Sequence, residues 1–215
     1  MVIGNIISFG KYDWRVLDVQ DSKALIITEN IIETRSYHDR YINITWAECS
    51  LRKYLNSDFM EQFIESEKSL IVPVTNKNLD NHWYGTNGGA DTFDSIFLLS
   101  LEEAVCKYFG DSSAKLYNRN PKHKYWFQSK DANNSKRSAI FKGHENTYWN
   151  SYWLRTPGRN NVKAIYVSGD GGIGIQGNNV LEGNISDADY FGGIRPALWL
   201  DLTAFNRLHK QTEEL

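Results

Sequence analysis

The sequence predicts an α+β fold, with a mostly antiparallel twisted sheet, two or three short flanking helices and long loops. Three observations lead there. Residues 14–19 alternate, residues 24–28 run apolar, and Asp21, Ser22 and Lys23 lie between them as a turn, which is the pattern of a hairpin. Thr45 with Glu48, and Ser100 with Glu103, have the spacing of capping boxes and mark the starts of short helices. Near the C-terminus two aromatic-rich runs, YWLRTPG at 152–158 and GGIRPALWL at 192–200, bracket a segment rich in Gly, Asn and Asp. The first run ends in Thr-Pro-Gly and reads as a strand entering a turn, because proline fixes φ and glycine accepts conformations other residues avoid. The second carries Pro196 near its start, which suits the beginning of a strand or a sheet edge.

In chain order, residues 6–9 are a short apolar run ahead of the hairpin, and residues 34–44 are polar and read as a loop. The Thr45 box predicts a helix to about residue 55, with Trp46, Cys49, Leu51, Tyr54 and Leu55 as its apolar stripe. Asn56, Ser57 and Asp58 break it and can cap a second helix over 59–65. Residues 70–74 read as a short edge strand because of Pro73. Residues 75–93 form a long polar, glycine-containing loop, the kind that is functional or mobile in a compact domain. Residues 94–99 read as a buried strand, and the Ser100 box starts a helix to about residue 108. Residues 110–147 are polar and basic; strands are expected at 148–155, 163–168, 172–176 and 194–200. Domain organisation follows as one domain over 1–203 and a charged, weakly ordered tail over 204–215.

Composition narrows the classes of function. Hydrophobic residues make up 41% and charged residues 23%, as in an ordinary soluble domain. The net charge of −2 gives no electrostatic case for nucleic acid or for an acidic membrane surface. Seven Trp and twelve Tyr suit a compact β-rich core or a contact surface better than a helical bundle. Cys49 and Cys106 read as buried free thiols, with one disulfide as the alternative, and no Cys/His spacing points to structural zinc. No apolar run is long enough to span a bilayer, and the first residues lack the basic and apolar regions of a signal peptide. A soluble, cytoplasmic protein is expected, with a phage particle or the cell surface as alternatives.

The pieces WRVL at 14–17, WAECSLRKYLN at 46–56, FLLS at 97–100, YWLRTPG at 152–158 and GIRPAL at 193–198 resemble a bacterial domain family of unknown function found in gut bacteria and their phages. The resemblance covers most of residues 9–200. It implies a C-type-lectin-like fold, in which the N- and C-terminal strands meet, helices flank the sheet and long loops ride on the C-terminal strands. Relatives of that fold bind sugars through calcium, oxidise cysteine or serve as variable receptor-binding proteins, so fold alone does not fix function.

Each of these chemistries leaves a signature. Calcium-dependent sugar binding needs clustered oxygen ligands, and the lectin triplets EPN, QPD and WND do not occur; Trp149-Asn150 is followed by Ser151. Asp170, between glycines, reads as a β-turn residue, and Asp187 and Asp189 as a solvated loop. A formylglycine-type oxidase needs two late cysteines, and none lies in 150–200. His38, His82, His123, His144 and His209 show no motif spacing and read as surface residues. Glycines 169–174 lie between strands and open no helix, which argues against a phosphate loop. The basic stretch 115–142, with Tyr117, Tyr125, Trp126 and Phe127, has the make-up of a single-strand binder, but the acidic balance elsewhere favours a solvated loop face.

What remains is a non-catalytic recognition face with Trp153, Arg155, Arg159, Asn160, Asn161, Asp170, Asn178, Asn179, Asp187, Asp189 and Tyr190 as ligand-binding candidates. Rigid aromatics with adaptable Asn, Ser and Gly are the chemistry of antibody loops. Core roles are the competing readings for Trp153 and Trp199, and pairing with buried carboxylates for Arg155 and Arg195. The expected partner is a protein or a carbohydrate, with no metal, cofactor, nucleic acid or membrane. The paired asparagines also fit retroelement diversification of Asn codons. An enzyme with an unrecognised metal or cofactor site, and a structural subunit of a phage or surface assembly, are the alternatives.

Overall fold

The computed structural model describes residues 1–110, 116, 133–142, 150–181 and 192–213, with side chains to residue 208. It is an α+β protein with mostly antiparallel sheets and a few short helices. The first sheet contains β1 (Ile6–Phe9), β2 (Tyr12–Gln20), β3 (Lys23–Thr28), β5 (Ile71–Val72), β8 (Ile96–Phe97) and β13 (Ala197–Asp201). The second contains β4 (Glu33–Thr34), β9 (Tyr152–Pro157), β10 (Lys163–Val167), β11 (Ile173–Asn179) and β12 (Gly193–Ile194). A ribbon of β6 (Val74–Asn76) and β7 (Thr92–Asp94) stands beside them.

The expected hairpin forms as β2 and β3, with Asp21 at φ 50° in its turn, and β1 extends it on the outer side. β13 then pairs antiparallel with β3, Trp199 opposite Leu25, so the two ends of the domain close one sheet. The run at 194–200 is two strands rather than one. Gly193 and Ile194 pair in the second sheet, Ala197 onward in the first, and Arg195-Pro196 makes the crossing. Pro196 therefore precedes a central strand instead of marking an edge, which leaves every ladder N–H of β13 intact. Residues 70–74 are divided in the same way at Pro73, and 94–99 at Ser95, with the pieces going to different sheets.

The helices are shorter than their sequence signals. The Glu48 amide goes to the Thr45 carbonyl and residues 46–48 form a turn, so α1 (Ser50–Leu55) starts later, with Cys49 as its cap. The Thr45 side chain instead packs against Gly89, where an added Cβ would lie 2.6 Å from its hydroxyl. The helix expected over 59–65 is a 3-10 turn, Met60–Gln62, followed by α2 (Glu65–Lys68). Phe63 turns extended, with its ring 5.3 Å from Phe9 and 5.8 Å from Phe59. Burying three aromatic rings outweighs the few tenths of a kcal/mol per residue of helix propensity. The Ser100 box closes as expected: Ser100 N donates to Glu103 Oε2 at 2.8 Å and Glu103 N to Ser100 Oγ at 3.2 Å. It leads into a π-helical turn, Glu103–Lys107. Most of 110–147 lies outside the described residues, which include α3 (Asn134–Arg137). The C-terminal stretch, expected as a weakly ordered tail or a short helix, forms α4 (Leu202–Glu213), docked by a buried Phe205 whose ring is 6.4 Å from Phe9.

Between α1 and the ribbon lies a fully buried carboxylate. Asp94 Oδ2 accepts from Trp46 Nε1 at 3.1 Å, Asn76 Nδ2 at 2.9 Å and Thr92 Oγ1 at 2.6 Å. Its Oδ1 accepts from Arg52 Nε at 2.5 Å. Removing it strands an arginine and three neutral donors at once. Asp94→Ala is expected to lower the unfolding free energy by at least about 3 kcal/mol, read by urea denaturation; a loss below about 1 kcal/mol would contradict this network.

Candidate functional site

Five of the expected rim residues meet at one end of the second sheet. β9 ends at Pro157, and at the next residue, Gly158, a Cβ would fall 2.5 Å from the Gln176 carbonyl oxygen, so only glycine lets the two strands close here. The chain then turns through 159–162, with Arg159 N bonded to Gln176 O at 2.8 Å and Lys163 N to Asn160 O at 3.1 Å. Across the ladder, Asn179 faces Lys163 and Asn178 faces Ala164. Gly177, at φ 74°, takes up the bulge between these pairs and the next register. Arg159 and Asn160 are exposed; Asn161, Asn178 and Asn179 are half-buried.

The segment 75–93, expected to be all loop, has its two ends paired as the β6–β7 ribbon, and its middle is fastened to this hairpin by a residue the sequence did not single out. Asn81 is fully buried; its Nδ2 lies 2.9 Å from Pro157 O, 3.2 Å from Gly158 O and 3.1 Å from Ile175 O. Its Oδ1 accepts from Trp83 N at 2.9 Å. Asn161 Nδ2 donates to Asn87 O at 2.9 Å, and Asn161 O accepts from Ile44 N at 2.9 Å. Three loops thus form one polar surface around Arg159 and Asn160. A local sequence window carries no sign of Asn81's role, because the carbonyls its Nδ2 meets lie 76 to 94 residues away.

The other candidates sit elsewhere. Trp153 is fully buried, with its indole N–H on Arg35 O at 3.0 Å and its ring 5.9 Å from Tyr37, so it supports the rim from within. Arg155 is also buried, paired with Glu103. Asp170 lies at the opposite end of β10, where it accepts from Ser168 Oγ and from Gly172 N, a side-chain-closed turn. Asp187, Asp189 and Tyr190 lie outside the described residues, as do His123, His144 and the side chain of His209.

Two further groups bear on catalysis and metal binding. Cys49 and Cys106 are not joined in a disulfide, and burial pushes the Cys49 thiol up to about 12, where it is unreactive. His38 is buried rather than exposed. Its Nδ1 lies 2.9 Å from Ser50 Oγ, and its Nε2 3.4 Å from Asp39 Oδ1. Burial holds its pKa below the ordinary 6.5, so it is neutral. The contact resembles a serine–histidine pair, yet the amides beside it are spent. Ser50 N goes to His38 Nδ1, Leu51 N to Tyr37 O and Arg52 N to Cys49 Sγ, so none of these three amides is left to meet an oxyanion. Among the described residues no group of three or more His, Cys, Asp and Glu side chains is placed to hold a metal ion.

A family model described as "Domain of unknown function (DUF6273)" matches residues 21–202, from the hairpin turn to the first residue of α4. Comparison with curated proteins gives no match, and neither does comparison with solved structures.

The frame behind the rim is pH-sensitive through Glu103. Burial alone would raise its carboxyl, but the charge of Arg155, its hydrogen bonds and the Ser100 N–H outweigh that and hold it below the ordinary 4.5. The unfolded chain therefore takes up this proton first as pH falls. The contribution is whole above the unfolded value and is lost as pH drops through the folded one. Glu103→Gln should flatten the fall of unfolding free energy between about pH 5 and pH 3, measured by denaturation across that window; an unchanged slope would exclude Glu103 as the group responsible.

Proposed function

The chain belongs to the DUF6273 family, and we propose that it is a non-catalytic recognition module with a C-type-lectin-like fold. The rim around the β9–β10 turn contacts a protein or glycan ligand. The observation that carries this reading is the meeting of Arg159, Asn160, Asn161, Asn178 and Asn179 at one end of the second sheet, with the 75–93 loop fixed beside them. Asparagine amides offer both donors and acceptors, the requirement for matching sugar hydroxyls or a peptide backbone. The buried Asn81 bonds hold the loops in place before any ligand arrives, which lowers the ordering cost of binding. The lectin-like assignment is supported by the pairing of β3 with β13, which joins the two ends of the domain, and by the position of the loops on the C-terminal strands. The adjacent pairs Asn160-Asn161 and Asn178-Asn179 also fit codon diversification by a retroelement. A reverse transcriptase and a template repeat beside the gene would support that addition, and their absence would remove it.

Arg159 and Asn160 are exposed, so replacing both with alanine should change stability by no more than about 0.5 kcal/mol each. On a glycan array, or against a protein ligand found by display, the double variant should lose at least about tenfold in affinity, 1.4 kcal/mol. Ligands retained equally by the variant would exclude this rim. So would turnover of a small molecule that vanished when His38 or another buried ionisable group was removed.

A further inference from the structure

The arginine of the GIRPAL run is buried and bonded, but among the described residues not to a carboxylate. Arg195 is 2% exposed. Its Nε donates to Thr28 O at 2.8 Å, its Nη1 to Arg137 O and Tyr152 Oη at 3.3 Å, and its Nη2 to Glu29 O at 3.4 Å. A guanidinium has five N–H groups, so one on Nη2 remains beyond these four bonds, three of which are long for N–H···O contacts. Among the described residues no carboxylate forms an ion pair with Arg195, and that of the adjacent Glu29 is gripped at both oxygens by Arg15. A buried cation held by three carbonyls, one hydroxyl and the Tyr152 ring, 5.4 Å away, is costly, and a bound anion would offset that cost.

Arg195 lines a cavity of about 460 Å³, within the size range of small-molecule sites. Val16, Leu17 and Phe109 supply an apolar wall, and the exposed Lys136 and Ile140 stand at its edge. The charged lining is Arg15, Lys136 and Arg195 against Glu29, three positive groups to one negative. We infer that this cavity binds a small organic carboxylate with an apolar body. The carboxylate meets Arg195 Nη2 with Lys136 as the second cation, and the body lies on Val16, Leu17 and Phe109. The cavity shares no residue with the β9–β10 rim, so it is a second site, independent of the recognition reading.

Arg195 itself ties the fold together, so the test uses residues at the cavity edge. Octanoate and 4-phenylbutyrate, titrated against the full chain and followed by backbone amide shifts, should bind saturably and move the signals of Val16, Leu17 and Phe109. Octanamide and inorganic phosphate should each bind at least about tenfold more weakly, because one lacks the charge and the other the apolar body. Lys136→Glu and Ile140→Glu, both at exposed positions, should weaken octanoate by a similar factor. Absence of saturable binding by either carboxylate would overturn the inference. So would octanamide or phosphate binding as tightly as octanoate, or edge variants that leave octanoate affinity unchanged.

Discussion

The Arg155–Glu103 pair is the contact on which the arrangement of the sheets depends. Arg155 sits in the middle of β9, where its N–H bonds to Leu99 O and its carbonyl accepts from Tyr37 Oη. Its guanidinium reaches Leu98 O at 2.7 Å, Lys77 O at 3.3 Å and both oxygens of Glu103, at 2.5 and 3.0 Å. One side chain thus ties the second sheet to the segment after β8, to the loop after β6 and to the start of the π-helical turn. Glu103 serves twice, since the oxygen that caps Ser100 N also accepts from Arg155. Burying an arginine is costly unless its donors are met. Here a fork-on-fork pair and two carbonyls meet the Nη1 and Nη2 donors, while Nε is buried without a bond, and the geometry admits few alternative positions for β9.

The rim inherits its position from that strand. β9 runs from the buried Tyr152 and Trp153 through Arg155 to Pro157, and Gly158 leads directly into the exposed turn at Arg159 and Asn160. Asn81 spans the same strand end and β11, so the loop over 75–93 cannot drift from the hairpin without breaking buried hydrogen bonds. Arg195 provides a second tie with a different chemistry. It sits at the crossing between sheets and is held by carbonyls from β3 and α3. The two arginines of the C-terminal runs therefore differ in kind: the first is paired with its own carboxylate and is structural, and the second has no carboxylate partner among the described residues and lies beside a cavity.

Local patterns carried much of the fold. The hairpin, the Ser100 capping box and the C-terminal strands were legible because they rest on alternation, turn residues and four-residue motifs. The Thr45 box misled, because Thr45 packs against Gly89 rather than capping Glu48, a contact 44 residues away that no local window contains. The continuous strands expected around Pro73, Ser95 and Pro196 each divide between sheets, since a run of apolar residues gives no sign of where a chain changes partner. The rim was legible in part. Gly and Asn in turns mark hairpin ends, which fits Arg159, Asn160, Asn161, Asn178 and Asn179, whereas Trp153 and Arg155 belong to the strand that supports them and Asp170 closes the opposite turn. Glu103 as the partner of Arg155, the Asp94 network and the His38–Ser50 contact are three-dimensional facts between distant residues, and composition or spacing does not encode them.

The most direct test is a double-mutant cycle on Arg155 and Glu103, with Arg155→Met, Glu103→Gln and the pair compared by equilibrium denaturation at neutral pH. A buried two-point ion pair that fixes β9 predicts a coupling energy of at least about 2 kcal/mol. Additivity of the two substitutions to within about 0.5 kcal/mol would contradict it and leave the position of β9, and of the rim beyond it, to be set by something else.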